Sequence, residues 1–206
     1  MKKSHWNEFY KTWDIDLPSQ FAIFVATEAR EATRLVDLGT GSGRDALFFS
    51  RRFDSVIALD KSEEAIRKAQ AKASDARLDN LEFIQADLGQ PGALESVTAS
   101  TSSGHVYYGR FFLHAITEQT EQRLFQELAG RGHPADELFF EFRTTRDANA
   151  PKVFGDHYRR FIDPDALRQR VEALGFRCHY QVEGQGLAKF GDEDPWVARM
   201  AFRPEA

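Results

Sequence analysis

The apolar positions of this chain fall into short runs, separated by longer stretches in which they recur at helical spacing. Arg34-Leu-Val-Asp-Leu38 and Ser55-Val-Ile-Ala-Leu59 are nearly continuous apolar runs, and Leu81-Glu-Phe-Ile-Gln85 alternates. His105-Val-Tyr-Tyr108 and Glu137-Leu-Phe-Phe-Glu-Phe142 continue the series. Short runs with no solvated face are what a parallel sheet covered on both sides by helices requires. The intervening stretches have a different period. Phe21, Phe24, Val25 and Ala29 repeat as a helix after Pro18 and Ser19. Ser62 is placed to cap a helix with Glu63 and Glu64 in its first turn and Ile66 and Ala69 turned inward. Thr117 caps another that buries Leu124 and Leu128. Asp163 as cap, Pro164 at the first helical position, a Leu167, Val171 and Leu174 stripe and Gly175 as the stop define a fourth. Strand alternating with helix predicts an α/β, doubly wound, Rossmann-like sheet.

The end of the chain departs from that alternation. Phe176–Glu183 and Trp196–Phe202 both read as strands, with only a loop between them, which predicts an antiparallel hairpin. The expectation is therefore a seven-stranded sheet, mostly parallel, with an antiparallel last strand, in one domain spanning residues 1–206.

Composition narrows the classes. Hydrophobic residues at 42% and charged residues at 29% of a 206-residue chain are the balance of an ordinary water-soluble globule. No apolar run reaches the roughly 20 residues that span a bilayer, and Met1 to Tyr10 lacks the apolar core of a secretory signal, so no membrane partner and a cytoplasmic protein are expected. A formal charge of −5 argues against general nucleic-acid binding while leaving room for a local basic patch around a small anion. Cys178 is the lone cysteine and reads as a buried, inert thiol. The six histidines are scattered, with no metal-ligand spacing, so no metal is expected.

The most informative stretch is Leu35-Val-Asp-Leu-Gly-Thr-Gly-Ser-Gly-Arg-Asp45. A strand runs into Gly39, Gly41 and Gly43, and a helix starts near Arg44. Glycines allow positive φ and let a ligand approach bare backbone, while the helix N-terminus behind them offers unpaired N–H groups. Asp60 ends the next strand, 17 positions after Gly43, where a carboxylate accepts hydrogen bonds from ribose hydroxyls. A nicotinamide enzyme would show Gly-x-Gly-x-x-Gly and parallel later strands; this chain shows neither.

With Asp37 preceding a Gly-x-Gly-x-Gly loop, the sequence resembles the class I S-adenosylmethionine-dependent methyltransferases over nearly its whole length. The resemblance implies that Asp37 and Gly39 to Gly43 line the methionine part of the cofactor S-adenosylmethionine and that Asp60 binds its ribose. Gln85-Ala-Asp-Leu88 is similar to the family's third-strand motif, placing Asp87 near the adenine amino group with Leu88 beside it; Asp87 as a cap after the strand is the alternative. The fourth strand lacks the acidic residue many members carry at its start. Beyond that strand's carboxyl end lie Arg110, Phe111 and His114, facing the sulfonium or the acceptor, while Phe112 and Leu113 read as core.

Two segments depart from the minimal fold. The first, His5-Trp-Asn-Glu-Phe-Tyr-Lys-Thr-Trp13, resembles the lids that some small-molecule members fold over the site, so residues 1–31 are expected to form a helical lid segment with Tyr10 reaching the cofactor; an ordinary packed N-terminal helix is the alternative. The second is Glu141-Phe-Arg143 and the long connection with Gly155-Asp-His-Tyr-Arg-Arg-Phe-Ile162. There Arg143, Tyr158, Arg159 and Arg160 are expected to meet an anionic acceptor, and His157 either joins them or serves as general base. A solvated turn paired with Glu141 or Asp156 is the alternative. These motifs resemble methyltransferases of bacterial surface-glycan and secondary-metabolite pathways, which favours oxygen over nitrogen as the nucleophile of a small polar acceptor. Two other readings keep the cofactor: a cyclase or aminocarboxypropyl transferase, and a catalytically inactive binding protein.

Overall fold

A computed structural model of the chain describes residues 17–30, 32–94, 103–150 and 158–205. Its strands are β1 (Arg34–Leu38), β2 (Ser55–Asp60), β3 (Leu81–Gln85), β4 (His105–Arg110), β5 (Glu137–Arg143), β6 (Phe176–Gly184) and β7 (Val197–Pro204). The described helices are α1 (Gln20–Glu28), α2 (Arg44–Phe49), α3 (Glu63–Asp75), α4 (Glu118–Arg131) and α5 (Pro164–Glu172).

The strands form one seven-stranded sheet in the order β3-β2-β1-β4-β5-β7-β6. The first five pair in parallel, and β7 runs antiparallel between β5 and β6. This is the expected architecture, with the final strand inserted inside the edge. The caps are also where the sequence puts them. Ser19, Ser62, Thr117 and Asp163 each accept a backbone N–H from the first turn of the helix that follows. Gly175, at φ +87°, turns the chain out of α5 into β6.

Apolar side chains divide between the two faces of the sheet because successive strand residues point to opposite sides. Val36, Leu38, Tyr107 and Phe140 pack against Leu124 and Leu128 of α4 and Leu167 and Val171 of α5. Leu35, Val56, Ala58 and Phe139 pack against Phe21 and Val25 of α1, Phe49 of α2 and Ile66 and Ala69 of α3. Every residue of β5 is buried, including Glu137, Glu141 and Arg143. Glu137 accepts from Arg203, and Glu141 from both Arg110 and Arg199, so these buried charges are paired across neighbouring strands. Among the described residues, no helix is long and apolar enough to cross a membrane.

Candidate active site

The strand order reverses at β1, where β2 leads outward on one side and β4 on the other. Ligand clefts of open α/β sheets form beyond the carboxyl ends of the strands at such a point. A cleft of about 290 Å³ opens there, at the lower end of the size range of small-molecule sites. It is lined from β1 and the loop after it by Asp37, Gly39, Thr40 and Gly41, from β2 by Asp60, and from the segment after β3 by Asp87 and Leu88. Arg110, Phe111 and His114 come from the end of β4, and Arg143 from the end of β5.

The glycine loop is locked by its own acid. Asp60 Oδ2 accepts the Gly41 N–H at 2.9 Å and Oδ1 accepts the Ser62 N–H at 2.8 Å, while the Leu59 carbonyl takes the N–H groups of Gly39 and Thr40. Each Asp60 oxygen retains a further lone pair for a ribose hydroxyl. Burial raises the Asp60 pKa, against the pull of those two backbone donors. The glycines divide their work in a way their spacing does not reveal. A Cβ on Gly39 would meet the Phe112 ring at 2.7 Å, and one on Gly43 would meet Phe83 and Ala69 at 2.7 and 2.8 Å. Gly43 is absent from the cleft wall. Its role is the close packing of α2 on the sheet and α3, which corrects the expectation that it lines the cofactor.

Asp37 is a strongly perturbed carboxyl of the site. Burial, reinforced by the charges of Asp45 and Asp60, pushes it up to about 8 against the lowering influence of Thr40. Its Oδ2 is buried with no hydrogen-bond partner among the described residues. An unsatisfied buried carboxylate oxygen facing the floor of a ligand cleft is a place for a cationic donor, and the ammonium of a methionine group meets that need. The residues present therefore fit S-adenosylmethionine: Asp37 would meet the ammonium, the loop at Gly39 to Gly41 the methionine chain, Asp60 the ribose, and Asp87 and Leu88 the base. Asp87 Oδ1 also accepts the Gly89 N–H at 2.9 Å, so the carboxylate closes a turn while it borders the cleft.

On the opposite wall Phe111 sits at φ +55° and gives its N–H to the Glu141 carbonyl at 2.8 Å. A left-handed Phe is strained, as expected of a residue held for a purpose beyond packing. The Arg110 and Arg143 guanidinium carbons lie 4.4 and 5.7 Å from its ring centroid. His114 borders the same space, and its Nδ1 accepts the Arg143 N–H at 3.2 Å. The proton of the neutral ring then resides on Nε2.

The arginines expected at the acceptor part company. Arg159 lines the cleft, its pKa lowered by burial and then by Arg143. Arg143 also lines it, but donates to Asp147 at 2.7 Å and to Glu193 at 2.5 Å, so its charge is already compensated. Arg160 is not part of the wall. Its guanidinium donates to the Ile116 and Leu113 carbonyls and to Glu121 at 2.6 Å, tying the chain ahead of α5 to α4. Tyr158 is half exposed and stands away from the cleft, which removes it and Arg160 from the expected acceptor set. Tyr10, His157 and the lid segment up to residue 16 lie outside the described residues.

Several contributors had no sequence signal. Asp45 accepts from Ser19 N–H at 2.7 Å, Ser19 Oγ at 2.8 Å and Tyr108 Oη at 2.7 Å, fixing the start of α1 to the cleft floor. The β6–β7 loop supplies Ala188, Phe190, Glu193 and Pro195 as an outer wall. Among the described residues, no group of three or more His, Cys, Asp or Glu side chains is placed to hold a metal ion.

Comparison with known proteins agrees with this geometry. Residues 35–132 match the methyltransferase domain family. The uncharacterized methyltransferase YcgJ of Bacillus subtilis is 25% identical over 182 residues, covering 84% of this chain and 67% of that protein. An S-adenosylmethionine-dependent methyltransferase from Anabaena variabilis superposes with a TM-score of 0.77 at 18% identity, over 98% of this chain and 93% of that one. The [4+2]-cyclase SpnF superposes with a TM-score of 0.70 at 16% identity, over 91% and 81% of the two chains. The family match over residues 35–132, the shared sheet topology and the cleft at the carboxyl ends of β1, β2 and β4 make the chain similar to the S-adenosylmethionine-dependent methyltransferases, whose fold it has.

Proposed function

We propose that the protein transfers the methyl group of S-adenosylmethionine to an oxygen of a small, anionic acceptor. One observation supports this above all: the cleft has two chemically opposed walls, carboxylates from Asp37, Asp60 and Asp87 on one side and the guanidinium groups of Arg110, Arg143 and Arg159 on the other. The first wall suits a cationic nucleoside ligand. The second suits an acid.

When bound, the cofactor supplies a sulfonium-activated methyl group. The protein's task is then to align an acceptor with that carbon and to exclude water. Phe111 offers the acceptor a flat apolar surface, and Arg159 attracts its charge. Arg143, held by Asp147 and Glu193, fixes the wall's shape. An acidic oxygen beside these arginines is ionised at neutral pH and needs no base. A protonated amine would bring a further positive charge to this wall, which favours oxygen over nitrogen.

The fold alone does not dictate methyl transfer, since the SpnF cyclase shares it. Product analysis separates the readings. With labelled S-adenosylmethionine and a panel of small acids paired with their amides, we expect S-adenosylhomocysteine to form and label to enter acids only. Release of methylthioadenosine would instead indicate transfer of the aminocarboxypropyl group. Labelling of the amides at equal rate would remove the arginine wall from acceptor recognition.

A further inference from the structure

The acceptor side of the cleft carries more aromatic surface than a bare acid would use. Phe111 borders it from the end of β4 and Phe190 from the β6–β7 loop, with Ile116, Ala188 and Pro195 completing the apolar lining. Each of the two rings is held against a local preference. Phe111 is fixed at φ +55°, a conformation that L side chains rarely adopt. Phe190 leaves 39% of its surface exposed, one of the few large apolar side chains to do so among the described residues.

The loop that presents Phe190 is pinned at several points. Phe190 and Glu193 exchange both backbone hydrogen bonds, at 2.9 and 3.0 Å, around Gly191 at φ +56°. Glu193 is 6% exposed and accepts from Arg143 Nη2 at 2.5 Å. Asp194 Oδ1 accepts the Gly186 N–H at 2.6 Å, and the Leu187 carbonyl accepts from Arg199 at 2.6 Å. The Arg143 guanidinium carbon in turn stands 5.7 Å from the Phe111 ring centroid. One guanidinium therefore neighbours both the Phe111 ring and the turn that carries Phe190, so fixed structure sets both aromatic residues around the same stretch of wall. An exposed ring that is already positioned gives up apolar burial that a ligand restores, with little ordering left to do on binding.

We propose that Phe111 and Phe190 form a slot for a planar ring, so that the acceptor is an aromatic acid. The inference deepens the acceptor reading above and rests on it for the acid group. A flat ring can meet the two phenylalanines by face or edge and is attracted to the neighbouring Arg143 and Arg159 cations. A saturated acid of the same size gains neither contact.

Calorimetry on the S-adenosylhomocysteine-loaded protein tests this with benzoate, cyclohexanecarboxylate and benzamide as probes, on the wild type, Phe190→Leu and Phe111→Gly. Leucine keeps an apolar side chain at the exposed position, glycine accepts the left-handed backbone at 111, and thermal melts confirm that both variants fold. We expect the wild type to bind benzoate about fivefold or more tighter than cyclohexanecarboxylate. Each substitution should bring that ratio close to one by weakening benzoate, while S-adenosylhomocysteine affinity stays within twofold. A ratio near one in the wild type, no binding of either acid, or a preference that survives in either variant overturns the slot. If benzoate and benzamide bind alike and both surpass cyclohexanecarboxylate, the slot stands and the acid reading falls. Failure of the wild type to bind S-adenosylhomocysteine would overturn the cofactor assignment, and the same ratios measured on the unloaded protein would then decide the slot.

Discussion

Asp37 couples the cleft to pH. Its ordinary carboxyl value is 3.8, and burial raises it to about 8 in the fold. Between those values the folded protein keeps a proton that the unfolded chain has released, so this group's contribution to stability falls as pH rises from about 4 to about 8. A ligand ammonium beside Asp37 reverses the balance by favouring the carboxylate. Binding of S-adenosylhomocysteine should therefore release a proton and tighten by up to about tenfold per pH unit between 6 and 8. Calorimetry in buffers of differing ionisation enthalpy measures that proton directly, and Asp37→Asn should flatten the profile. Gly43 makes a steric prediction. At φ +80°, with Phe83 and Ala69 inside 3 Å of where a Cβ would stand, Gly43→Ala should cost about 2–4 kcal/mol in denaturant unfolding. A cost near zero would show that the α2–β3 packing can open without penalty. The motif around these residues was visible in the sequence, because a strand, a glycine turn, a helix and a second-strand acid are all local patterns. Which glycine meets the ligand and which meets Phe83 was not, since that contact joins residues 40 positions apart.

Among the secondary elements, helix caps and strand runs were readable because they depend on neighbours within four residues. The roles of the arginines were unreadable for the complementary reason. Arg143 finds Glu193 at a separation of 50 residues and Arg160 finds Glu121 at 39, so nothing near either arginine shows whether its charge is compensated. The Arg143 clamp also joins the end of β5 to the β6–β7 loop, with Asp147 Oδ1 taking the Trp196 N–H at 3.0 Å. Glu193→Gln should loosen that wall alone. We expect KM for the acceptor to rise on the order of tenfold while S-adenosylhomocysteine affinity stays within twofold. Equal weakening of both would mean that the loop supports the cofactor side as well.

Across the chain, stability depends on charges buried between elements. Glu121 of α4 is 1% exposed and receives Arg160 at 2.6 Å and Arg170 of α5 at 2.9 Å, binding the helical layer on that face of the sheet together. Since the arginines are partly solvated, Glu121→Gln should cost about 2–3 kcal/mol, less than a fully buried pair. For a chain of this size that lowers Tm by about 5–10 °C, measurable by calorimetric melting. A melt that does not move would place the cohesion of this layer in its apolar contacts.

The antiparallel insertion of β7 has one more outcome. Because the last two strands run out and back, their connecting bend returns to the mouth of the cleft, far along the chain from the loop that follows β1. Changes of length or composition in that bend can remodel what enters the mouth while the grip on the nucleoside goes untouched. Swapping residues 185–195 between relatives is thus the economical route to altered acceptor choice.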